Sequence, residues 1–339
     1  MTSSPPNTAQ RSPLLADGLA TIGVLERNRL LGARVARVAR ASVRLANVAV
    51  SDEPATLRAL LGANPSLLLC DASELDLALE WSRKLYPSMR VAAWTNGDMA
   101  PLLDAAAKND ALVGLIGVPP FGSMPRPWEI GGIVRRVTSA EASPPHVHEM
   151  LMPTATLVKY RPQSSRDRDL VVAEVQALAE RVGATQKLAI RAGEVAHELL
   201  MNAMYDAPID HYGNLVYSMD RKQQITLAPD EVPTFRFATD GMTLGLQVVD
   251  RFGRLLRRHV LDGIARGRTA TAGGGQFLDT SSGGAGLGMA RIYTSATSVV
   301  VDVAAHQHTS VTVMFDLDIQ PREARTVPIS LHLFAPSHL

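Results

Sequence analysis

Cysteine is nearly absent from this chain of 339 residues, because Cys70 is the only one. A single thiol excludes an intramolecular disulfide framework and also a zinc site built from several thiolates. A protein without disulfides suits a reducing compartment, so we expect a cytoplasmic location.

The chain also carries almost no net charge and contains no long apolar run. The 34 basic residues nearly cancel the 33 acidic ones, so no overall electrostatic field favours nucleic acid or an anionic membrane surface. No apolar run approaches the roughly twenty residues of a membrane span, and the N-terminus lacks the basic and apolar regions of a secretory signal. We therefore expect no nucleic-acid partner and no membrane association.

The length suggests two domains, each able to bury its own core. Residues 1–14 are polar and rich in Ser and Pro, which predicts a disordered tail, and a second break in composition predicts a linker at 138–155. The predicted domains are 15–137 and 156–320, followed by a C-terminal extension at 321–339. A metal pair formed by His146 and His148 is an alternative for the linker, although no third ligand lies nearby in sequence.

The first domain alternates apolar runs with amphipathic stretches, which predicts an α/β fold with five parallel strands. The predicted strands are Leu19–Leu25, Val43–Val50, Ser66–Cys70, Arg90–Trp94 and Leu112–Val118. The predicted helices are Arg29–Arg40, Ala55–Leu61, Leu75–Tyr86 and Met99–Lys108.

The second domain is predicted as an α/β two-layer sandwich, with a mixed or antiparallel sheet and helices on one face. Its predicted elements are the helices Asp167–Val182, Gln186–Asp206 and Leu255–Ile264, the hairpin Thr234–Thr239 and Met242–Val249, and the strands Val299–Val303 and Ser310–Leu317. The Asp-Gly pair inside the hairpin is a strong turn signal. Ile209–Val232 is interpreted as a surface insertion, because it is longer than a usual connection.

Polar residues on the predicted helix Gln186–Asp206 form a narrow ridge beside a buried apolar stripe. Glu194, Glu198, Asn202 and Asp206 recur at four-residue spacing, so their side chains lie on one helix face. A carboxylate and an amide oxygen on such a face can converge on one Mg²⁺ and one water molecule.

A glycine-rich motif, Gly283-Gly284-Ala285-Gly286-Leu287-Gly288, directly precedes another apolar helix start. The free backbone N–H groups and the positive dipole end of a helix favour phosphate. A P-loop is disfavoured because no Lys-Ser/Thr pair follows. A dinucleotide-binding Rossmann motif is an alternative with Asp302 as its acid, but the residues before the glycines do not look like a strand.

These motifs, in this order and with Asp250 at a strand end between them, resemble the Bergerat-fold or GHKL ATPase superfamily over roughly residues 165–318. The anti-sigma serine kinases are the most similar members, since they too lack a phosphoacceptor-helix domain. The resemblance implies ATP and Mg²⁺ as cofactors. It implies that Glu198 polarises the attacking hydroxyl or water, that Asn202 holds Mg²⁺ and that Asp250 accepts a hydrogen bond from the adenine amino group. The other implied nucleotide-binding residues are Asp206, Gly253, Gly283, Gly284, Gly286, Leu287, Gly288 and Thr309.

Three further features near this site bear on the resemblance. Phe252 stands where the family has the first glycine of its Asp-x-Gly-x-Gly box, which implies a changed adenine pocket. Arg266–Gly284 resembles the family's ATP lid and is rich in glycine. His197, beside Glu198, is not expected to be a phosphoacceptor because it lies inside the helix that supplies Glu198.

The first domain resembles the receiver domains of response regulators. The resemblance implies that Asp71 matches the phosphoacceptor, Glu26 an acidic Mg²⁺ ligand and Thr95 the switch residue. Glu26 is followed by Arg27 instead of a second acid, and no Lys follows the fifth predicted strand. We therefore expect a degenerate receiver, and a simple helix-capping role is the alternative for Asp71.

The sequence thus predicts a cytoplasmic signalling regulator that binds Mg-ATP and phosphorylates or sequesters a partner protein. If active, it would be a serine/threonine-type kinase or an ATPase. The alternative is a non-catalytic interaction module, with or without nucleotide, and an autonomous histidine kinase is less favoured. The sequence identifies neither the protein partner nor the oligomeric state, and a homodimer is compatible with it.

Overall fold

The chain has a mixed α/β fold, in agreement with the predicted class. A computed structural model describes residues 20–44, 46–119, 122, 124–139, 143–272, 287–319 and 326–338. Within these ranges, strands of both parallel and antiparallel orientation form one sheet of eleven strands, flanked by helices.

The first half contains five parallel strands connected by helices, as predicted. The order β2-β1-β3-β4-β5 is that of flavodoxin-like doubly wound folds. Helices cover both faces, so the strands are nearly continuous apolar runs. The elements are β1 Ala20–Leu25, α1 Arg29–Ser42, β2 Ala46–Ser51, α2 Pro54–Leu61, β3 Pro65–Asp71, α3 Leu75–Lys84, β4 Arg90–Thr95, α4 Ala100–Lys108, β5 Leu112–Gly117 and α5 Pro127–Thr138.

The second half contributes an antiparallel set of strands in the order β9-β10-β8-β7-β6. The predicted Asp-Gly turn joins β7 to β8, and Gly241 has the positive φ of 86° that glycine tolerates without strain. The elements are β6 Thr156–Tyr160, α6 Ser165–Arg181, α7 Gln186–Met201, β7 Thr234–Thr239, β8 Thr243–Asp250, α8 Arg257–Ala272, α9 Leu287–Ser295, β9 Ser298–Ala304 and β10 His308–Asp316.

The helices α6, α7, α8 and α9 share one apolar core with one face of these strands. Leu199 and Leu200 of α7 belong to the same buried cluster as Leu246 and Val248 of β8. The opposite sheet face is covered by the short 3-10 turn Val147–Met150, inside the predicted linker. Val147 is fully buried and occupies the space that a side chain at Gly245 would need.

A strand that the sequence did not predict joins the two halves. The strand β11, Ser330–Phe334, lies in the predicted C-terminal extension and pairs antiparallel with β5 and parallel with β9. The Ser330 hydroxyl accepts a 2.9 Å hydrogen bond from the Gly117 N–H. One continuous sheet therefore runs across the boundary between the two predicted domains.

Buried arginines connect the halves further. Arg257, at the start of α8, is 3% exposed and donates to the backbone carbonyls of Ala106, Asn109, Leu112 and Leu333. Arg136 of α5 forms a two-pronged ion pair with the buried Asp302 of β9. Among the described helices, none has the length and apolar character needed to cross a membrane.

Candidate functional site

The polar ridge of α7 lies at the end of this helix, where the backbone widens. Thr185 caps the helix start by accepting the Leu188 N–H. The residues after Met201 continue as a π-helical turn, Asn202–Asp206, a feature that is frequent at functional sites. Glu198, Asn202 and Asp206 are half-buried on this ridge, whereas the stripe residues beside them are buried, as predicted.

The structure brings Glu198 against the start of α9. A Cβ atom added at Gly288 would lie 2.6 Å from Glu198 Oε2 and 3.9 Å from Asn202 Oδ1. The other carboxylate oxygen, Glu198 Oε1, accepts a 2.9 Å hydrogen bond from Arg291, one turn further along α9. Glu198 and Asn202 thus face the last glycine of the motif, and both are about 90 residues from it in sequence.

Asn202 and Asp206 are held by a second arginine. Arg221 Nη2 lies 3.0 Å from Asp206 Oδ2 and 3.4 Å from Asn202 Oδ1. Burial raises the pKa of Asp206, and the charge of Glu198 adds to this, while Arg221 opposes it. Arg221 lies in the predicted insertion, which therefore reaches the ridge.

Asp250 and Thr309 lie opposite each other on the neighbouring strands β8 and β10. Leu246 and Val248 of β8 face the helices, so Asp250, two residues further, faces them as well. Asp250 is 6% exposed and its pKa is raised to about 6 by burial, although the N–H groups of Phe252 and Gly253 and the Thr309 hydroxyl lower it. The carboxyl group is thus poised to change protonation near neutral pH.

The remaining predicted nucleotide contacts divide into two groups. Gly253 has φ of +62°, and a side chain there would strike the Ala304 carbonyl oxygen in the β9–β10 turn, which gives this glycine a packing role. Gly283, Gly284 and Gly286 lie outside the described residues, and Leu287 is the first residue of α9. Of the predicted lid, Arg266–Ala272 belongs to the helix α8, and the rest also lies outside.

The side-chain oxygens on the ridge are suitable ligands for Mg²⁺, which commonly binds one or two protein oxygens together with phosphate oxygens and water. An amide oxygen at Asn202 and carboxylates at positions 198 and 206 provide such a set. Within the described part of the chain, no group of three or more His, Cys, Asp or Glu side chains could hold a metal by itself.

In the receiver-like half, the predicted acidic positions are already bonded. Glu26 is buried, and it accepts hydrogen bonds from the Asn28 N–H at 2.8 Å and from the Trp94 indole at 3.2 Å. Burial raises its pKa. Asp71 accepts the Ser73 N–H at 2.9 Å and so caps a short 3-10 turn. Thr95 accepts the Gly97 N–H.

The position after β5, where receivers carry a lysine, is occupied differently. A side chain at Gly117 would collide with Pro328 of the C-terminal extension. The extension thus packs where the missing Lys would stand, and the nearby Arg126 donates a 3.3 Å hydrogen bond to the Gly117 carbonyl.

Alternatives considered for individual residues have structural explanations. Asp302 lies on β9 and is engaged by Arg136 and, at 3.2 Å, by His308, rather than at a ribose position. His146 and His148 lie beside each other, with ring centroids 5.5 Å apart, at the start of the 3-10 turn. His197 is half-buried, and burial lowers its pKa.

Arg221 and Arg291 are the site residues that sequence reasoning missed. Neither belongs to a motif, because an arginine in a polar insertion or on an exposed helix face looks like an ordinary solvated residue. Only the position of Arg291 three residues after Gly288 carries a signal, since residues at this spacing share a helix face.

Comparison with known proteins identifies no family. No family model matches the chain, and no curated protein matches it. One solved structure with a similar part is the SiaB–SiaC complex from Pseudomonas aeruginosa. The similarity covers 47% of this chain and 88% of that chain, with 12% sequence identity and a TM-score of 0.32. At this level the similarity carries no argument about function.

Proposed function

We propose that this protein is a cytoplasmic signalling regulator that binds Mg-ATP between α7, β8, β10 and α9. In this proposal the site is of the GHKL type, and the protein phosphorylates or sequesters a partner protein. The observation that carries the proposal is the approach of Glu198 and Asn202 to Gly288, because a helix start rich in glycine is a natural phosphate site.

The strand pair Asp250 and Thr309 supports the same location. Both side chains face the helix layer, and the π-helical turn that begins at Asn202 packs against β8. A buried carboxylate that lies beside a hydroxyl group offers the acceptor and donor pattern that an adenine amino group and ring nitrogen require. The adenine end and the phosphate end of an ATP molecule would thus each meet polar groups.

The residues would divide the chemistry as follows. Asn202, with Asp206 behind it, would hold Mg²⁺, which when bound neutralises charge on the phosphates. Glu198 would accept a proton from a partner's hydroxyl or from water. The N-terminal turn of α9, beginning at Leu287, would donate its free N–H groups to phosphate oxygens.

The second candidate is a binding module without turnover. Glu198 pairs with Arg291 at 2.9 Å, so the carboxylate predicted to act as the base is engaged within the protein. The insertion also exposes apolar side chains, with Tyr212 78% and Met219 94% exposed. Aromatic and methionine side chains are enriched at protein interfaces, which favours a protein partner at this insertion under either candidate.

Calorimetric titration with Mg-ADP tests the binding proposal. Asn202→Ala should weaken binding at least about tenfold, or 1.4 kcal/mol, because the metal loses its amide ligand. The matched control is Asn96→Ala, which changes an exposed loop residue in the receiver-like half. Unchanged affinity in Asn202→Ala, or an equal loss in the control, would refute the assignment.

Radiolabelled ATP separates the two candidates. Release of labelled phosphate, or transfer of label to a partner, supports catalysis, and Glu198→Gln should then lower turnover about 100-fold or more while sparing nucleotide binding. Binding without either reaction supports the module. Acid-labile label on the protein itself would indicate a histidine kinase instead.

A further inference from the structure

The side chains predicted to receive Mg²⁺ and to act as the base are each engaged by an arginine of the same chain. Arg221 bridges Asn202 and Asp206, and Arg291 holds Glu198. The two arginines come from different parts of the fold, the insertion and α9. The three ridge side chains that the proposed function uses, Glu198, Asn202 and Asp206, are therefore each paired with an arginine of the same chain.

Arg221 contacts the same oxygens on this ridge that a metal ion would use. Both are cations, and both draw on Asn202 Oδ1 and on the carboxylate of Asp206. Two like charges a few ångströms apart repel each other, and partial burial strengthens the repulsion because less water screens it. A metal at Asn202 Oδ1 and the Arg221 guanidinium would therefore disfavour each other.

The hydrogen bonds of Arg221 to the ridge are of a kind that another cation could replace. Nη2 makes both contacts, and the 3.4 Å distance to Asn202 is near the limit of a hydrogen bond. Arg221 Nε is buried and has no hydrogen-bond partner among the described residues. An arginine with a permanent structural role normally uses more of its five donors, as Arg257 does with four carbonyl oxygens.

Arg291 has a similar effect at the other end of the ridge. It draws Glu198 onto the first turn of α9, where Glu198 Oε2 would lie only 2.6 Å from a Cβ at Gly288. The carboxylate therefore stands against the backbone that the proposed function assigns to phosphate. A negative charge at this helix start is stabilised by the helix dipole, as a phosphate would be.

We infer that Arg221 and Arg291 are internal counter-ions that hold the site in a self-paired state and compete with Mg²⁺ and phosphate for the ridge. Arg221 takes the place of the metal, and the carboxylate held by Arg291 takes the place of phosphate. The inference rests on the proposed function. It adds that the affinity for metal is set by residues outside the metal-binding set, one of them in the insertion with the exposed apolar side chains.

The test is a Mg²⁺ titration at constant ADP concentration, with nucleotide binding as the readout. Arg221→Gln should lower the Mg²⁺ concentration at half-saturation about fivefold, which corresponds to the roughly 1 kcal/mol of a partly exposed ion pair. Arg221→Lys keeps the charge and should stay within about twofold of the wild type. Arg29→Gln removes an equal charge from a 2.7 Å surface pair with Asp52 and is the remote control.

The direction of the change is decisive. Removing a positive charge near a phosphate site would ordinarily weaken nucleotide binding, so a lower Mg²⁺ requirement in Arg221→Gln is expected only from a competitor. Arg291→Gln provides a second measurement at an exposed position, and it should tighten Mg-ADP binding by a similar factor. Circular dichroism confirms that each variant is folded.

The outcomes separate this inference from the proposed function. If the wild type binds Mg-ADP and both variants need as much Mg²⁺ as the wild type or more, the competition is refuted and the nucleotide site stands. If neither the wild type nor either variant binds ADP at any Mg²⁺ concentration, the nucleotide site is refuted and the competition falls with it.

Discussion

The buried carboxyl group of Asp250 predicts a specific dependence of stability on pH. Its pKa is raised from 3.8 to about 6, chiefly by burial. A carboxyl group whose pKa is higher in the folded state contributes stability that is fully present below the unfolded pKa. That contribution is lost as the pH rises through the folded pKa, here between pH 4 and pH 6.

The magnitude follows from the two pKa values. One pKa unit corresponds to 1.36 kcal/mol, so the change from 3.8 to about 6 amounts to about 3 kcal/mol. Asp250→Asn retains an oxygen that can accept the 2.8 Å hydrogen bond from the Phe252 N–H but cannot ionise. The wild type should therefore lose about 2 kcal/mol relative to this variant between pH 4 and pH 7, because part of the change falls below pH 4.

Urea unfolding of both proteins at several pH values measures this difference, and the subtraction removes the contribution of all other titrating groups. Asp52→Asn is the matched control, because hydrogen bonding to Arg29 lowers the pKa of Asp52 and places its titration below this range. A difference between wild type and Asp250→Asn that stays flat from pH 4 to pH 7 would refute the reasoning. It would mean that Asp250 is ionised and solvated in the native state.

Three further predictions concern single side chains. Gly288→Ala should weaken Mg-ADP binding at least about tenfold. It should change the free energy of unfolding by less than about 1 kcal/mol, since the flexible end of Glu198 can move away. Gly132→Ala, with open space around it, is the control, and an unaltered affinity in Gly288→Ala would contradict the prediction. Arg257→Met should cost about 2 to 4 kcal/mol in urea unfolding because it removes the guanidinium hydrogen bonds to the Ala106, Asn109, Leu112 and Leu333 carbonyls, and a loss below about 1 kcal/mol would count against this. Glu129 has no exposed surface, and burial raises its pKa. Glu129→Gln should therefore change the free energy of unfolding by less than about 1 kcal/mol, and Glu129→Ala should change it by about 2 to 4 kcal/mol. Equally large losses in both variants would indicate that Glu129 is an ionised carboxylate.

Local pattern was sufficient for most of the elements. The five parallel strands of the first half follow from apolar runs, and the hairpin of β7 and β8 follows from Asp240-Gly241 between alternating residues. The stripe and ridge of α7 follow from helical periodicity. Strand boundaries moved by up to three residues, as with β2, which begins at Ala46 rather than Val43. The end of α8 moved further, from the predicted Ile264 to Ala272.

Sequence reasoning missed the helix α5, Pro127–Thr138, and two strands whose stability comes from distant partners. Thr156–Tyr160 is an edge strand with a mostly exposed pattern, so no apolar alternation marks it. Ser330–Phe334 contains the polar Ser330 and His332, yet both are buried. The backbone of this strand pairs with a strand of each half, and His332 packs against Trp128 and Glu129 of α5. Such a strand is indistinguishable from a tail until its neighbours are known.

The sequence alone determined the types of polar groups on the α7 ridge and the phosphate-compatible motif before α9, because helical spacing and glycine content are local properties. Tertiary structure decided what those groups meet. It places Gly288 beside Glu198, Thr309 opposite Asp250, and two unrelated arginines on the ridge. Contacts between residues far apart in sequence depend on how the helices pack on the sheet, and no local pattern contains that information.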